Sequence, residues 1–294
     1  MKQHQNFIEN IYKELKDISK IYAGSNDILE RLLKLHVNCI EALALCKQLD
    51  LISQVEGKKY FAFSYNNKIS RAVNRNLFIM ETNEIEKTIN FISKEKLTET
   101  TPENITKALY TMAISFCSII DLLKERDQKT PGTFFEIFAC HWFSRMLQIH
   151  PKKEIDVLNL DKETKLPTDY IFDLGKNRPK IHLPIKTSTR ERVIQVWAHQ
   201  RVLDGVYGVG RFLGMCVCLS ETKVDKKKLE VVEICLPEQW QVYQMFIAQM
   251  KRIYYLDVPN RYQVLNDVFP PINVRPYGDF FYEVQKIEQG NYVL

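Results

Sequence analysis

An acid and an amine, Asp169 and Lys186, stand on two successive short β runs, 169–174 and 180–186, joined by Gly175-Lys176-Asn177-Arg178-Pro179. With the turn centred between Asn177 and Arg178, antiparallel partners have numbers that sum to 355, and 169 and 186 do so. That register sets the two side chains opposite each other. As an incidental hairpin ion pair they would contribute only a few tenths of a kcal/mol. As a functional pair, the carboxylate is a ligand for a hard cation, and the ammonium orients water and offsets charge on a phosphate.

Directly after Lys186 comes Thr187-Ser188-Thr189-Arg190-Glu191-Arg192, which runs into a helical pattern over 189–203. Ser188 and Glu191 have capping-box spacing, so Glu191 has a structural reading. Two arginines in a first helical turn oppose the helix dipole, and that placement calls for an anionic or hydrogen-bond-accepting partner. Arginine forks match the O6/N7 edge of guanine, and a glutamate accepts from cytosine N4. A helix tip carrying Arg190, Glu191 and Arg192 is therefore suited to reading G·C pairs in a major groove.

Pro167-Thr168-Asp169, the strand ending in Lys186 and the Arg-Glu-Arg run four to six residues beyond it resemble the PD-(D/E)XK nuclease core. More narrowly, they resemble the R-(D/E)-R branch of type II restriction endonucleases, the BsaWI-like and EcoRII-like enzymes that read CCGG or CCNGG sites. The resemblance implies that Asp169 binds a catalytic magnesium ion, that Lys186 assists the attacking water, and that Arg190, Glu191 and Arg192 contact bases. Many relatives add a glutamate from the preceding helix in a Gly-x-x-Phe-Glu setting. Gly132-Thr133-Phe134-Phe135-Glu136 fits it, which makes Glu136 a second catalytic carboxylate and metal ligand.

This chain departs from the family in one respect. The glutamate expected two residues before the lysine is Pro184, and the acid that other relatives carry 13–14 residues after it is His199 or Gln200 here. Glu136, or alternatively Asp173, is left to supply the second carboxylate. The resemblance implies a site-specific deoxyribonuclease that uses Mg2+, leaves 5′-phosphate ends and acts as a homodimer or higher homo-oligomer on a C/G-rich DNA palindrome. The missing acid keeps two alternatives open: an inactive DNA-binding protein on the same fold, or a structure-selective repair nuclease.

These side chains need a scaffold, and the hydropathy pattern supplies one. Helical spacing is expected over 132–147, 189–203 and after Pro237, with β runs at 169–174, 180–186, 211–219, 229–236 and 253–258. The order α-β-β-α-β-β-α-β describes an α/β fold, a mixed β-sheet flanked by helices. Glycines 205, 208, 210 and 214 match no nucleotide-binding fingerprint and read as a turn feeding a tightly packed strand. Residues 1–104 read as a mainly helical N-terminal region for dimerisation or DNA contacts, the latter through Lys68, Arg71 and Arg75, and 93–104 reads as a linker or long loop. Residues 105–294 read as the nuclease domain.

Composition is that of a globular chain: 45% apolar and 26% charged among 294 residues, which excludes disorder and fibrous arrays. The net charge of +5 is unevenly placed. Residues 151–228 hold 16 basic against 10 acidic side chains, while the remainder holds 25 against 26. An anionic partner is one reading of that excess and a solvated surface is the other. Seven cysteines without a CxxC pattern argue against a zinc cluster or disulfide framework. With no apolar signal segment in MKQHQNFIENIYKEL, they lead to the expectation of a reducing cytoplasm. The charge-free apolar stretch 108–120 is shorter than the roughly 20 residues a bilayer span needs, so no span is expected.

Overall fold

Helix formation at the N-terminus follows the apolar stripes. In the computed structural model, which describes residues 1–124, 126–156, 165–190 and 193–290, α1 (Lys2–Ile18) and α2 (Asn26–Ala44) pack face to face. Ser25 caps α2 by accepting from the Ile28 amide, as its position suggests. The chain then forms β1 (Lys47–Ser53), β2 (Tyr60–Tyr65), β3 (Lys68–Ile69) and β4 (Val73–Asn74). Asn66 and Asn67 turn β2 into β3 with φ of 48° and 61°, the left-handed pair a tight hairpin requires.

Next come α3 (Thr82–Ser93), α4 (Pro102–Leu123) and α5 (Lys129–Leu147), then β5 (Lys152–Asp156), β6 (Lys165–Asp173), β7 (Lys180–His182) and β8 (Ile185–Lys186). The last part holds α6 (Val193–Tyr207), β9 (Phe212–Cys218), β10 (Thr222–Asp225), β11 (Glu230–Glu233), α7 (Pro237–Phe246), β12 (Met250–Tyr255), α8 (Asn260–Gln263), β13 (Val274–Pro276) and α9 (Phe280–Glu288). Segment 93–104 is no free linker: Leu97 is buried, and Tyr282 donates to the carbonyls of Leu97 and Thr100. Helix α4 runs longer than its charge-free stretch, and by length and apolar composition it would suffice for a span. Most of it is buried inside the protein, against α2, α3 and α5, so it is a core helix.

The main sheet runs β13-β12-β9-β7-β6-β5, with β8 also paired to β9. Strand β9 is buried at all seven positions and parallel to β7, β8 and β12, as befits a strand covered on both faces. Its side chains alternate between layers. Leu213, Met215 and Val217 join the core under α4 and α5, whereas Cys216 and Cys218 join Trp197 of α6 and Trp240 of α7. Gly214 is required here, because an added Cβ would lie 2.7 Å from Met250 Sδ and 2.8 Å from Gln200 Oε1.

One expectation is corrected. The hydropathy pattern predicts the run 229–236 as part of the one mixed sheet. Instead β10 and β11 form a second sheet with the N-terminal hairpins, in the order β10-β11-β1-β2-β3, with Ile52 opposite Glu230 in a parallel pair. The reason lies in the burial pattern: β10 alternates half-buried and exposed positions and only Val231 of β11 is buried, so they need cover on one face only. The described architecture is a mixed α/β fold whose second sheet joins strands from before and after residue 104.

Three histidines are fully buried or nearly so, and burial pushes each imidazole down to about 4: His36, His141 and His182. A group whose folded pKa lies below its unfolded value of 6.5 takes up a proton on unfolding, so stability rises with pH between about 4 and 6.5. The unfolding free energy read from urea titration is expected to fall from pH 7 to pH 5, by about 1–2 kcal/mol per histidine, and the midpoint with it. A midpoint that stays flat over that range would contradict the neutral burial of these rings.

Candidate nucleic-acid cleavage site

Strands β6 and β8 carry the acid and the amine, but in a different register from the one expected. The observed pairs are Ile171 with His182, Phe172 with Ile181 and Asp173 with Lys180, two residues away from the expected alignment. Residue 169 is thereby set against Pro184, which has no N–H to donate. The ladder ends with the Leu183 amide on the Tyr170 carbonyl, and β8 leaves β6 to pair with β9, Lys186 opposite Cys218. Asp169 Oδ2 then accepts from the Ile185 amide at 2.8 Å and from Lys186 Nζ at 2.7 Å. A two-residue shift keeps every side chain on its face, which is why the pair survives the error in register.

Asp169 and Lys186 are about a quarter exposed, with side-chain exposures of 22% and 26%, and so lie open to a large substrate. Burial disfavours the Lys186 ammonium. The charge and hydrogen bond of Asp169, with help from Cys216 and Glu136, outweigh it and hold the pKa above the usual lysine value.

Glu136 is half-buried on α5, which packs on β8. Burial raises its pKa first and the Asp169 charge raises it further, while Lys186 and Lys153 act in the opposite sense. It makes no hydrogen bond among the described residues, so burial leaves it without a polar partner. Asp173, the alternative, is not at the site: it is exposed and pairs with Lys180 at 2.8 Å.

Where an acid was expected on α6, His199 is half-buried. Burial lowers its pKa, Asp169 raises it and Lys186 lowers it, so it senses the pair. Gln200 is structural, bonded to His182 Nδ1 at 3.0 Å and to the Phe212 carbonyl at 3.1 Å. Lys153 on β5 went unnoticed in the sequence. Its ammonium lies 5.0 Å over the Tyr170 ring and acts on Glu136.

The donor set fits a small hard cation. Asp169 Oδ1 makes no hydrogen bond among the described residues, and Glu136 offers a second, unpaired carboxylate. No group of three His, Cys, Asp or Glu side chains that could hold a metal occurs among the described residues. Magnesium needs only one or two carboxylates, completing its shell with water and phosphate oxygens.

The segment after Lys186 is fastened from below. Glu221, 1% exposed, accepts from Ser188 Oγ at 2.8 Å, the Thr189 amide at 2.8 Å, Thr189 Oγ1 at 2.6 Å and Tyr255 OH at 2.9 Å. In the sequence Glu221 falls between the β runs 211–219 and 229–236, and no local signal distinguishes it. Arg190 is exposed, and its guanidinium makes no hydrogen bond among the described residues. Glu191 and Arg192 lie outside the described residues. Two N-terminal cations named as DNA contacts are engaged within the protein. Arg71 forks onto Asp121 at 2.8 and 2.9 Å, and Arg75 pairs with Asp50 beneath the Phe61 ring.

No protein-family model matches the chain, and no curated protein matches it. Among solved structures, the crystal structure of the type IIP restriction endonuclease Kpn2I is similar with a TM-score of 0.81 and 26% identity, over 95% of this chain and 97% of that one. The complex of restriction endonuclease PspGI with its substrate DNA is a looser match, with a TM-score of 0.44 and 13% identity over 71% of this chain and 92% of that one. The chain has the restriction-endonuclease fold seen in Kpn2I.

Because Asp169 is what overcomes burial at Lys186, Asp169→Asn is expected to lower the Lys186 pKa. NMR titration of the lysine side-chain resonances reads this directly, and an unchanged titration would dissociate the two groups.

Proposed function

We propose that the protein is a type II restriction endonuclease, a Mg2+-dependent deoxyribonuclease that cuts double-stranded DNA at a C/G-rich palindrome containing CCGG or CCNGG. The observation that carries this reading is the 2.7 Å contact of Lys186 Nζ with Asp169 Oδ2, at the foot of the segment that bears Arg190. The restriction-endonuclease fold and its neighbours support DNA as the substrate. Asp169 and Glu136 would hold the metal ion. When bound, such an ion offsets charge on the phosphate and acidifies water.

The chain's own groups do the rest. Asp169 holds the Lys186 ammonium in place, and the ammonium donates to the phosphate as negative charge grows on it. Being open to solvent, the pair accepts a duplex without needing a closed pocket. Arg190, with Glu191 and Arg192, reads base edges from four to six residues beyond the amine. A palindrome is matched by two-fold symmetry, so the protein acts as a homodimer or a larger even assembly.

Supercoiled plasmid incubated with MgCl2 is expected to yield discrete fragments with 5′-phosphate ends, and EDTA to stop the reaction. A gel shift without cleavage would favour a DNA-binding protein, and cleavage only of branched DNA a repair nuclease. Lys186→Ala and Asp169→Ala are each expected to lower the rate by at least about 100-fold while site binding persists. Wild-type turnover in either variant would refute the assignment. Arg190→Ala is expected to weaken specific binding by about 1–3 kcal/mol. An equal loss on all sequences would make Arg190 a backbone contact instead.

A further inference from the structure

The ladder between β8 and β9 does not stop at the strand ends. The Leu219 amide donates to the Lys186 carbonyl at 3.1 Å, and the Ser220 amide to the Thr187 carbonyl at 3.3 Å. The next residue on the β9 side is Glu221, and the next two on the β8 side are Ser188 and Thr189, which donate three hydrogen bonds to its carboxylate. A fourth, from Tyr255 OH, ties the carboxylate to β12. Thr189 is 3% exposed, yet Arg190 beside it is exposed, so the chain passes from a fixed point to a presented side chain within one residue.

A carboxylate this deeply buried is costly. Burial pushes the Glu221 carboxyl upward, and the hydrogen bonds from Thr189, Ser188 and Tyr255 work against that. No cation pairs with it among the described residues. All of its partners are neutral donors, and all but one lie on the segment that leads into the arginine run. An ion pair would serve stability as well. This arrangement instead fixes the backbone direction at 188–189.

We propose that Glu221 is a positioning residue for sequence discrimination: it holds Ser188 and Thr189 so that Arg190 meets a base edge in one orientation. This rests on the reading of the protein as a sequence-specific nuclease. Bidentate arginine contacts tolerate little misalignment, so loosening their base costs specificity before it costs binding to the phosphate backbone.

The test compares Glu221→Ala, Glu221→Gln and Tyr255→Phe. Glutamine keeps one acceptor oxygen for Thr189 and Tyr255, and its amide can donate to the Ser188 hydroxyl, so it is expected to rescue function. Cleavage of a cognate site relative to sites with one base pair changed should drop about ten-fold in Glu221→Ala, and change little in Glu221→Gln. Tyr255→Phe removes a donor that is not on the segment, so it should lower the thermal midpoint without altering the ratio.

Hydrogen exchange provides a second readout that needs no DNA. The Thr189 amide should lose protection in Glu221→Ala and keep it in Glu221→Gln. An unchanged discrimination ratio in a folded Glu221→Ala protein, or an equal loss of discrimination in Tyr255→Phe, would overturn the proposal. A wild-type protein that neither binds nor cuts DNA would instead remove the functional reading, and the discrimination role with it. The exchange result would still report whether Glu221 fixes the segment.

Discussion

Pro184 has no N–H to donate beside Asp169, the ladder with β6 ends there, and the Asp169 carboxylate serves as the acceptor for the next amide, that of Ile185. Asp169 Oδ2 takes the amide of Ile185 at 2.8 Å and the ammonium of Lys186 at 2.7 Å, so one oxygen both satisfies a backbone amide and holds the lysine. Burial alone would depress the Lys186 charge, and the contact reverses this. A half-buried pair of this kind contributes modest stability when intact and costs much more when one partner is removed. The remaining oxygen of Asp169 stays available to a ligand. The rest of the structure serves to bring β6 and β8 close enough for this contact.

Strand β9 is the element that does so. It is buried at every position and pairs with β7, β8 and β12. Through β8 it sets Lys186, and through its own continuation it delivers Glu221 beneath Ser188 and Thr189. The amine and the presented Arg190 are therefore both indexed to one strand. Side-chain parity along β9 separates the layers, with α4 and α5 below and α6 and α7 above.

The cations divide into two groups by what they pair with. Three of the N-terminal region are committed internally: Arg71 to Asp121, Arg75 to Asp50, and Lys58 to Asp257 at 2.8 Å and Glu233 at 3.3 Å. The Lys58 cluster also ties that sheet to the end of β12, because Tyr60 OH and Asn74 Nδ2 donate to the same Asp257. Arg190 has no such partner among the described residues. Net charge places an excess of basic residues in 151–228, but only the pairing separates the cations held by carboxylates, such as Lys165 and Lys180, from those such as Arg190 that are not held so among the described residues.

Local pattern made much of this legible. The helices over 132–147 and after Pro237, the apolar strand at 211–219 and the tight packing at Gly214 follow from periodicity and residue size, which act over a few positions. The pairing of Asp169 with Lys186 was legible too, since face depends on parity alone. The register was not, because Pro184 diverts β8 to β9, a strand some 30 residues further along the chain. Likewise Glu221 looks like any charged residue before a turn. Its burial is decided by β9, β12 and the 188–189 segment converging on one point, and the docking of β10 and β11 onto the N-terminal hairpins is decided the same way. Sequence by itself determined which residues could do chemistry and which face each would share, because those depend on side-chain type and local period. Tertiary structure decided which strands meet and which polar groups are left buried, because those energies belong to pairs of segments far apart in the chain.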